Sequence, residues 1–338
     1  MNLYSFPALR RFWFTPLLVF LLAFPFLTRA QFDYTTCDGT ITITGYSGKE
    51  HALLIPSSIN GLPVTISGDS AFLNHHSLTS IALPEYLITI ENKAFQGCGG
   101  LTTLRIPDCV TSIGTSAFGG CTNLARVQLG DSLTNVGNSA FWNTSLTNIT
   151  IPRAVLNIGV HAFYHCDNLV GLTIPNSVVT IGEAAFLECR SLRSVAIPGR
   201  ISAIGASTFA YCMSLTNVTL CNGITDIGPQ AFMSCKSLTS IVIPDTVTNI
   251  GAFAFDNCIR LATVTIGSSV THVAGGAFDS CNNLRDLLFL GDAPADDGAD
   301  SSVFAQVENG TVYYLPGTCG WGATFSGRPT AVWLRRHP

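Results

Sequence analysis

Residues 174–192 read IPNSVVTIGEAAFLECRSL. A proline stands eleven residues before Phe186, a glycine four before it and a cysteine three after it. The same arrangement returns 23 residues on, around Phe209, with Pro198, Gly205 and Cys212. Phenylalanine recurs at Phe72, Phe95, Phe118, Phe141, Phe163, Phe186, Phe209, Phe232, Phe255 and Phe278. The step is 23 throughout except for 22 between Phe141 and Phe163. The unit is L-x-x-I-x-I-P-x-x-V-x-x-I-G-x-x-A-F-x-x-C. A fixed period of this length marks a solenoid, in which each unit buries its apolar face only against its neighbours.

Each column has a physical cause. Leu169 to Ile174 ends in period-two apolar positions, a strand pattern with Leu172 and Ile174 inward and Gly171 and Thr173 outward. Pro175 offers no N–H to a ladder and stops the strand. Gly182 permits a turn, and the segment Ala184–Cys189 is too short for a free helix. It is expected to dock as one helical turn with Phe186 as the inward wedge. The register extends past the clean copies. Leu53, Ile55 and Pro56 supply a first rung, with an insertion at NGLPV, and TITITGY upstream alternates as a capping strand or hairpin. Phe304, Tyr313, Leu315 and Pro316 keep the spacing of a last rung. Twelve rungs at about 4.8 Å predict a sheet roughly 55 Å long.

The expected fold is therefore a repeat solenoid of 23-residue units in one domain, capped at both ends. A parallel β-sheet forms one face, and short strands or helical turns form the other. The predicted organisation is a signal peptide over 1–30, an N-terminal cap and degenerate rung over 31–66, the solenoid over 67–290, and an acidic loop, last rung and cap over 291–338. The leader reading rests on Arg10 and Arg11, the apolar run FWFTPLLVFLLAFPFL, and Thr28 and Ala30 at the −3 and −1 positions of a cleavage site. Cleavage after Ala30 predicts a secreted, periplasmic or surface protein with no remaining membrane span.

The 23-residue unit, with LxxIxIP followed by IG, AF and C, resembles the BspA-like leucine-rich repeats of bacterial exported and surface proteins. The resemblance spans residues 40 to 316. The closing VYYLPGTCGWG…GRPTAVW is similar to the terminal segment of some exported members. The resemblance implies a curved solenoid, export, and adhesion to proteins or host surfaces. It carries over no binding residue, because no ligand motif is shared across the family.

Charged residues make up 11% of the 338-residue chain, well below the usual share of about 25%. The formal charge is −4. Neither a basic footprint for nucleic acid nor a polybasic membrane signal is present. Catalytic and metal motifs dissolve into the repeat. The GDSL of Gly130–Leu133 occupies the turn column held elsewhere by PDCV, PNSV and PDTV, with no Asp-x-x-His partner near the C-terminus for a serine nucleophile. LPGT at Leu315–Thr318 is a strand followed by a turn. His161 and His165 have the spacing of a helical metal pair but no third ligand, and read as surface residues. Asp292, Asp296, Asp297 and Asp300 match no calcium loop and read as a solvated loop. No catalytic residue, metal site or cofactor is expected.

Binding residues are sought in the variable columns. Those facing out of the strand give Arg105, Arg126, Gln128, Asn148 and Thr150, with Arg105 and Arg126 on adjacent rungs. The column after the phenylalanine gives Trp142, Tyr164 and Leu187, an aromatic rim that suits sugar rings or a protein hot spot. The bland alternatives are β-propensity for the strand face and turn-covering side chains for the rim. The predicted function is a non-enzymatic exported scaffold for protein recognition or adhesion, acting as a monomer. The alternative is a carbohydrate-binding or structural envelope protein. The eight cysteines three residues after a phenylalanine are expected to be buried free thiols, because stacked copies lie too far apart and too parallel for disulfides.

Overall fold

The computed structural model describes residues 31–296, 303–307 and 310–334. The leader expected over 1–30, and Asp297 and Asp300 of the acidic loop, lie outside the described residues. The described chain is a β-solenoid whose repeated rungs each contribute one longer strand, one two-residue strand and a turn ridge, the end rungs departing from this pattern. The long-strand face runs from Ala52–Leu54 through Thr103–Arg105, Arg126–Gln128, Asn148–Thr150 and Gly171–Thr173 to Thr311–Tyr314. Its pairing is parallel and in repeat register, with Arg126 beside Thr103 and Gln128 beside Arg105. The short-strand face carries Thr89–Ile90, Ser112–Ile113 and their successors in the same register.

The core follows directly from the columns. All ten phenylalanines from Phe72 to Phe278 are fully buried. Their rings form one stacked spine, with neighbouring centroids 4.8–5.6 Å apart and planes within 2–9° of parallel. Phe304 continues it at 6.1 Å. Edge-on rings close both ends, Phe32 on Phe72 and Phe325 on Phe304. This covers core that an open solenoid end would expose.

The turn ridge departs from the expected helical turn, and no helix occurs among the described residues. Ala185, Leu187 and Cys189 donate to the carbonyls three residues before them, while Ala184, Phe186 and Glu188 donate to Ala206, Thr208 and Ala210 of the next rung. The segment is thus a run of tight turns whose alternate N–H groups extend the inter-rung ladder. A helix would have turned those groups inward onto itself. The geometry requires positive φ two residues before and two after each phenylalanine, as at Ser139 and Asn143, His161 and His165, and Ala184 and Glu188. Ser, Asn and Gly predominate there: Gly has no Cβ to clash, Asn tolerates the region, and Ser can hydrogen-bond its own turn.

The caps are hairpins. Phe32–Cys37 pairs antiparallel with Thr40–Tyr46 through Asp38-Gly39, both at positive φ as a type I′ turn needs. The NGLPV insertion is a second hairpin, Ser58–Ile59 with Leu62–Ser67, turning at Asn60-Gly61. At the other end Arg328–Val332 adds a parallel strand beyond the twelve expected rungs, pairing with Thr311–Tyr314. It is closed by Thr324–Phe325.

The cysteine column is also ordered by hydrogen bonds. Cys98, Cys121, Cys166, Cys189, Cys212, Cys235, Cys258 and Cys281 are buried free thiols. Each thiol donates to the phenylalanine carbonyl of the preceding rung at 3.1–3.4 Å. That carbonyl also accepts the backbone N–H of the residue three places on in its own rung, as in Cys98 to Phe95. A small side chain with a weak donor fits this position better than alanine or a larger polar group. Burial pushes the Cys98 and Cys166 thiols up to about 12. The shortened rung has Thr144 in the column. Its hydroxyl donates to its own Phe141 carbonyl at 2.9 Å and lies 3.2 Å from the Cys166 sulfur.

Ladder pairing on the two faces is not continuous. Both faces lose register pairing at one step, between Gly171–Thr173 and Ser194–Ile197 and between Thr180–Ile181 and Ala203–Ile204. The spine, the thiol column and the turn ridge run through that step.

Candidate binding surface

The shortened rung positions the candidate site. Elsewhere the cysteine column and the next buried leucine are spaced as in Cys121–Leu124 and Cys166–Leu169, and the leucine N–H closes a turn onto the cysteine carbonyl. Here the spacing contracts to Thr144-Ser145-Leu146. The strand begins one residue earlier, and Arg126–Gln128 keeps a single register pair with Asn148–Thr150, Arg126 with Asn148. The flanking steps each hold three pairs.

An open groove of about 480 Å³ lies over this thinned step. Arg126, Gln128, Asp131, Asn148 and Thr150 line it, over a floor that includes half-buried Val127 and buried Leu129 and Pro152. Gly171 lies outside the lining, on the next strand, where it pairs with Asn148. A Cβ there would collide with the Asn148 amide oxygen, so the bare glycine lets that amide lie over the next rung, away from Arg126. A second groove of about 460 Å³ lies between Asn217–Leu220 and Ser240–Ile243, where the ladder is again interrupted.

The structure therefore gathers four of the seven candidate residues, Arg126, Gln128, Asn148 and Thr150, around one groove. Arg105 is exposed on the neighbouring strand, where Glu85 at 2.7 Å and Asp108 at 3.7 Å hold its guanidinium. The basic spot expected from Arg105 and Arg126 is thus reduced to Arg126, which makes no ion pair among the described residues. Trp142 and Tyr164 sit on the turn ridge and do not line the groove. The Trp142 indole lies over Gly119, whose missing side chain makes room for it. Tyr164 contacts the rings of His161 and His165, with centroids 5.5 and 4.3 Å away.

His161 and His165 occupy the two positive-φ positions of one rung and share no helical face. His165 instead faces Asp167 at 3.6 Å and Glu188 at 3.4 Å, beside Arg190. Among the described residues no group of three or more His, Cys, Asp or Glu side chains is placed to hold a metal ion. Ser132 of the GDSL letters is an exposed turn residue. Asp292 accepts the Cys319 N–H at 2.7 Å. Sequence reasoning missed Asp131 as part of the groove lining and Gly171 as the neighbour that admits the Asn148 amide. The signal available was the 22-residue step itself, flanked by a glycine in an outward strand column.

The repeat model of the BspA type leucine-rich repeat region matches residues 57–170 and 157–285, and the chain belongs to that family. A leucine-rich repeat protein from Bacteroides ovatus is similar in structure, with a TM-score of 0.71 and 28% identity over 80% of this chain and 72% of that one. A leucine-rich repeat protein from T. pallidum has a TM-score of 0.50 and 33% identity over 62% of this chain and 89% of that one. A leucine-rich cell surface protein from Faecalibacterium prausnitzii has a TM-score of 0.42 and 28% identity over 78% and 94% of the two chains. Comparison with curated proteins finds no match. Among the described residues no helix is long and apolar enough to cross a membrane.

Proposed function

We propose that the protein is an exported, non-enzymatic scaffold for recognition or adhesion, with the long-strand face as its binding surface. The observation that carries this reading is the clustering of Arg126, Gln128, Asn148 and Thr150 over the thinned ladder step. Solenoids of this family generally serve as scaffolds, and a rigid repeat core frees the outward columns to vary. Arg and amide side chains on a preorganised surface bind with little ordering cost. The leader-like first thirty residues and the family's surface proteins support export and a place at the cell surface. Attachment of beads coated with the protein to a panel of intact cells tests the reading. Arg126→Glu with Gln128→Ala should abolish attachment at unchanged thermal stability. Attachment that survives both changes, or no attachment by the unaltered protein, refutes it.

A further inference from the structure

We infer that the groove over the shortened rung takes a neutral oligosaccharide, an inference that rests on the long-strand face being the binding surface. Two departures from the repeat fall beside this groove, and neither serves the core. One is the residue missing between Phe141 and Asn148, and the other is Gly171 in a column held elsewhere by Thr103, Arg126 and Asn148. Leu146 and Ile149 of the same rung remain buried, so the core tolerates the shortening.

The chemistry of the lining selects the ligand class. Arg126 only donates hydrogen bonds and Asp131 only accepts them, while Gln128, Asn148 and Thr150 do both. No ion pair joins Arg126 to Asp131. The two charges offset each other, so a ligand of either sign meets one adverse partner. A sugar hydroxyl donates and accepts at once and can use both. The aliphatic stems of Arg126 and Gln128 and the methyl of Thr150 stand on the outward face and can meet the C–H face of a pyranose ring. The groove has the volume of a small-ligand site, about 300–1,000 Å³. It is open and not enclosed, which fits a chain ligand better than an enclosed metabolite. It also lacks the deep apolar pocket that anchors a protein hot spot.

The test uses the whole exported protein on a printed array of neutral and acidic oligosaccharides, with a random peptide library as a second arm. Three variants accompany it: Gly171→Thr, insertion of one asparagine between Ser145 and Leu146, and Arg126→Ala. Gly171→Thr pushes the Asn148 amide back over the groove, and only the end of a flexible side chain must move. The insertion restores the 23-residue step. Neutral glycans should be retained by the unaltered protein, and each variant should weaken retention by about tenfold or more. Thermal midpoints should be kept or raised in the first two variants, which separates loss of the site from loss of the fold. Glycan binding that survives Gly171→Thr and the insertion overturns the groove assignment. Retention of acidic glycans alone overturns the neutral class. Retention of peptides alone, lost on Gly171→Thr, overturns the carbohydrate class while leaving the binding surface standing. Retention of neither library overturns both.

Discussion

Phe186→Ala probes how the solenoid holds together where its ladders are interrupted. The Phe186 ring is fully buried, 5.2 Å from Phe163 and 5.4 Å from Phe209, with planes 3° apart on both sides. The Phe163–Phe186 contact spans the step at which both faces lose register pairing. Truncation leaves a cavity that costs about 3–5 kcal/mol. The two lost stacks account for about 0.5–1.5 kcal/mol each of that. A domain's whole stability is about 5–15 kcal/mol. In a solenoid the loss falls on one interface and not on the whole chain. The rungs before and after this step should therefore uncouple. Urea unfolding followed by circular dichroism reports every rung. Tryptophan fluorescence of protein beginning at Gln31, in a Trp142→Phe background, reports the C-terminal cap through Trp321 and Trp333. The two curves should coincide with Phe186 in place and separate when it is alanine. Coincident curves with a loss below about 1 kcal/mol would refute the view that the spine couples the two halves.

Three further outcomes are expected. In native protein a thiol reagent should modify the exposed Cys37, Cys109, Cys221 and Cys319 and spare the eight buried column thiols until unfolding; rapid labelling of all twelve would contradict the buried ladder. Stability should be insensitive to those thiols at neutral pH and fall between about pH 9 and 12. The unfolded chain loses thiol protons near 9 while burial keeps them on Cys98 and Cys166 up to about 12, so the folded state binds more protons in that window and rising pH favours unfolding. A stability that stays flat to pH 11 would show the thiols to be solvated. Mass spectrometry of the exported protein should find Gln31 at its N-terminus, and an intact Met1 would count against the proposed leader.

Much of this architecture is legible in the chain because stacking forces each rung to repeat the same buried columns. The Ala-Phe spacing gives the rung count, the register and the spine, and the strand columns give the outward residues of the groove. The turn ridge was less legible. Short Ala-Phe segments suggest a helical turn by length alone, and the contrary signal is the run of Asn74, Gly97, Gly120, Asn143 and Asn257 two residues after the phenylalanine. The thirteenth strand at Arg328–Val332 breaks the period and contains a proline, so no column predicts it. The 22-residue step is plain in the sequence, yet its consequence depends on where the missing residue falls. Taken from the turn before the strand, it thins the ladder. The Asn148 amide then leans across Gly171, a contact between rungs that no column of the repeat encodes.

Apart from the His75 and Thr144 rungs, the thiol-to-carbonyl column and the phenylalanine spine offer each rung an equivalent neighbour above and below. A whole 23-residue unit can therefore be gained or lost by unequal recombination between repeats without meeting a mismatched neighbour, and both hairpin caps still fit. Rod length is in this sense a heritable variable separate from ligand choice. The distance at which the groove is held from either end can drift between lineages while the groove stays intact, provided the exchange leaves the Thr144–Gly171 rung in place.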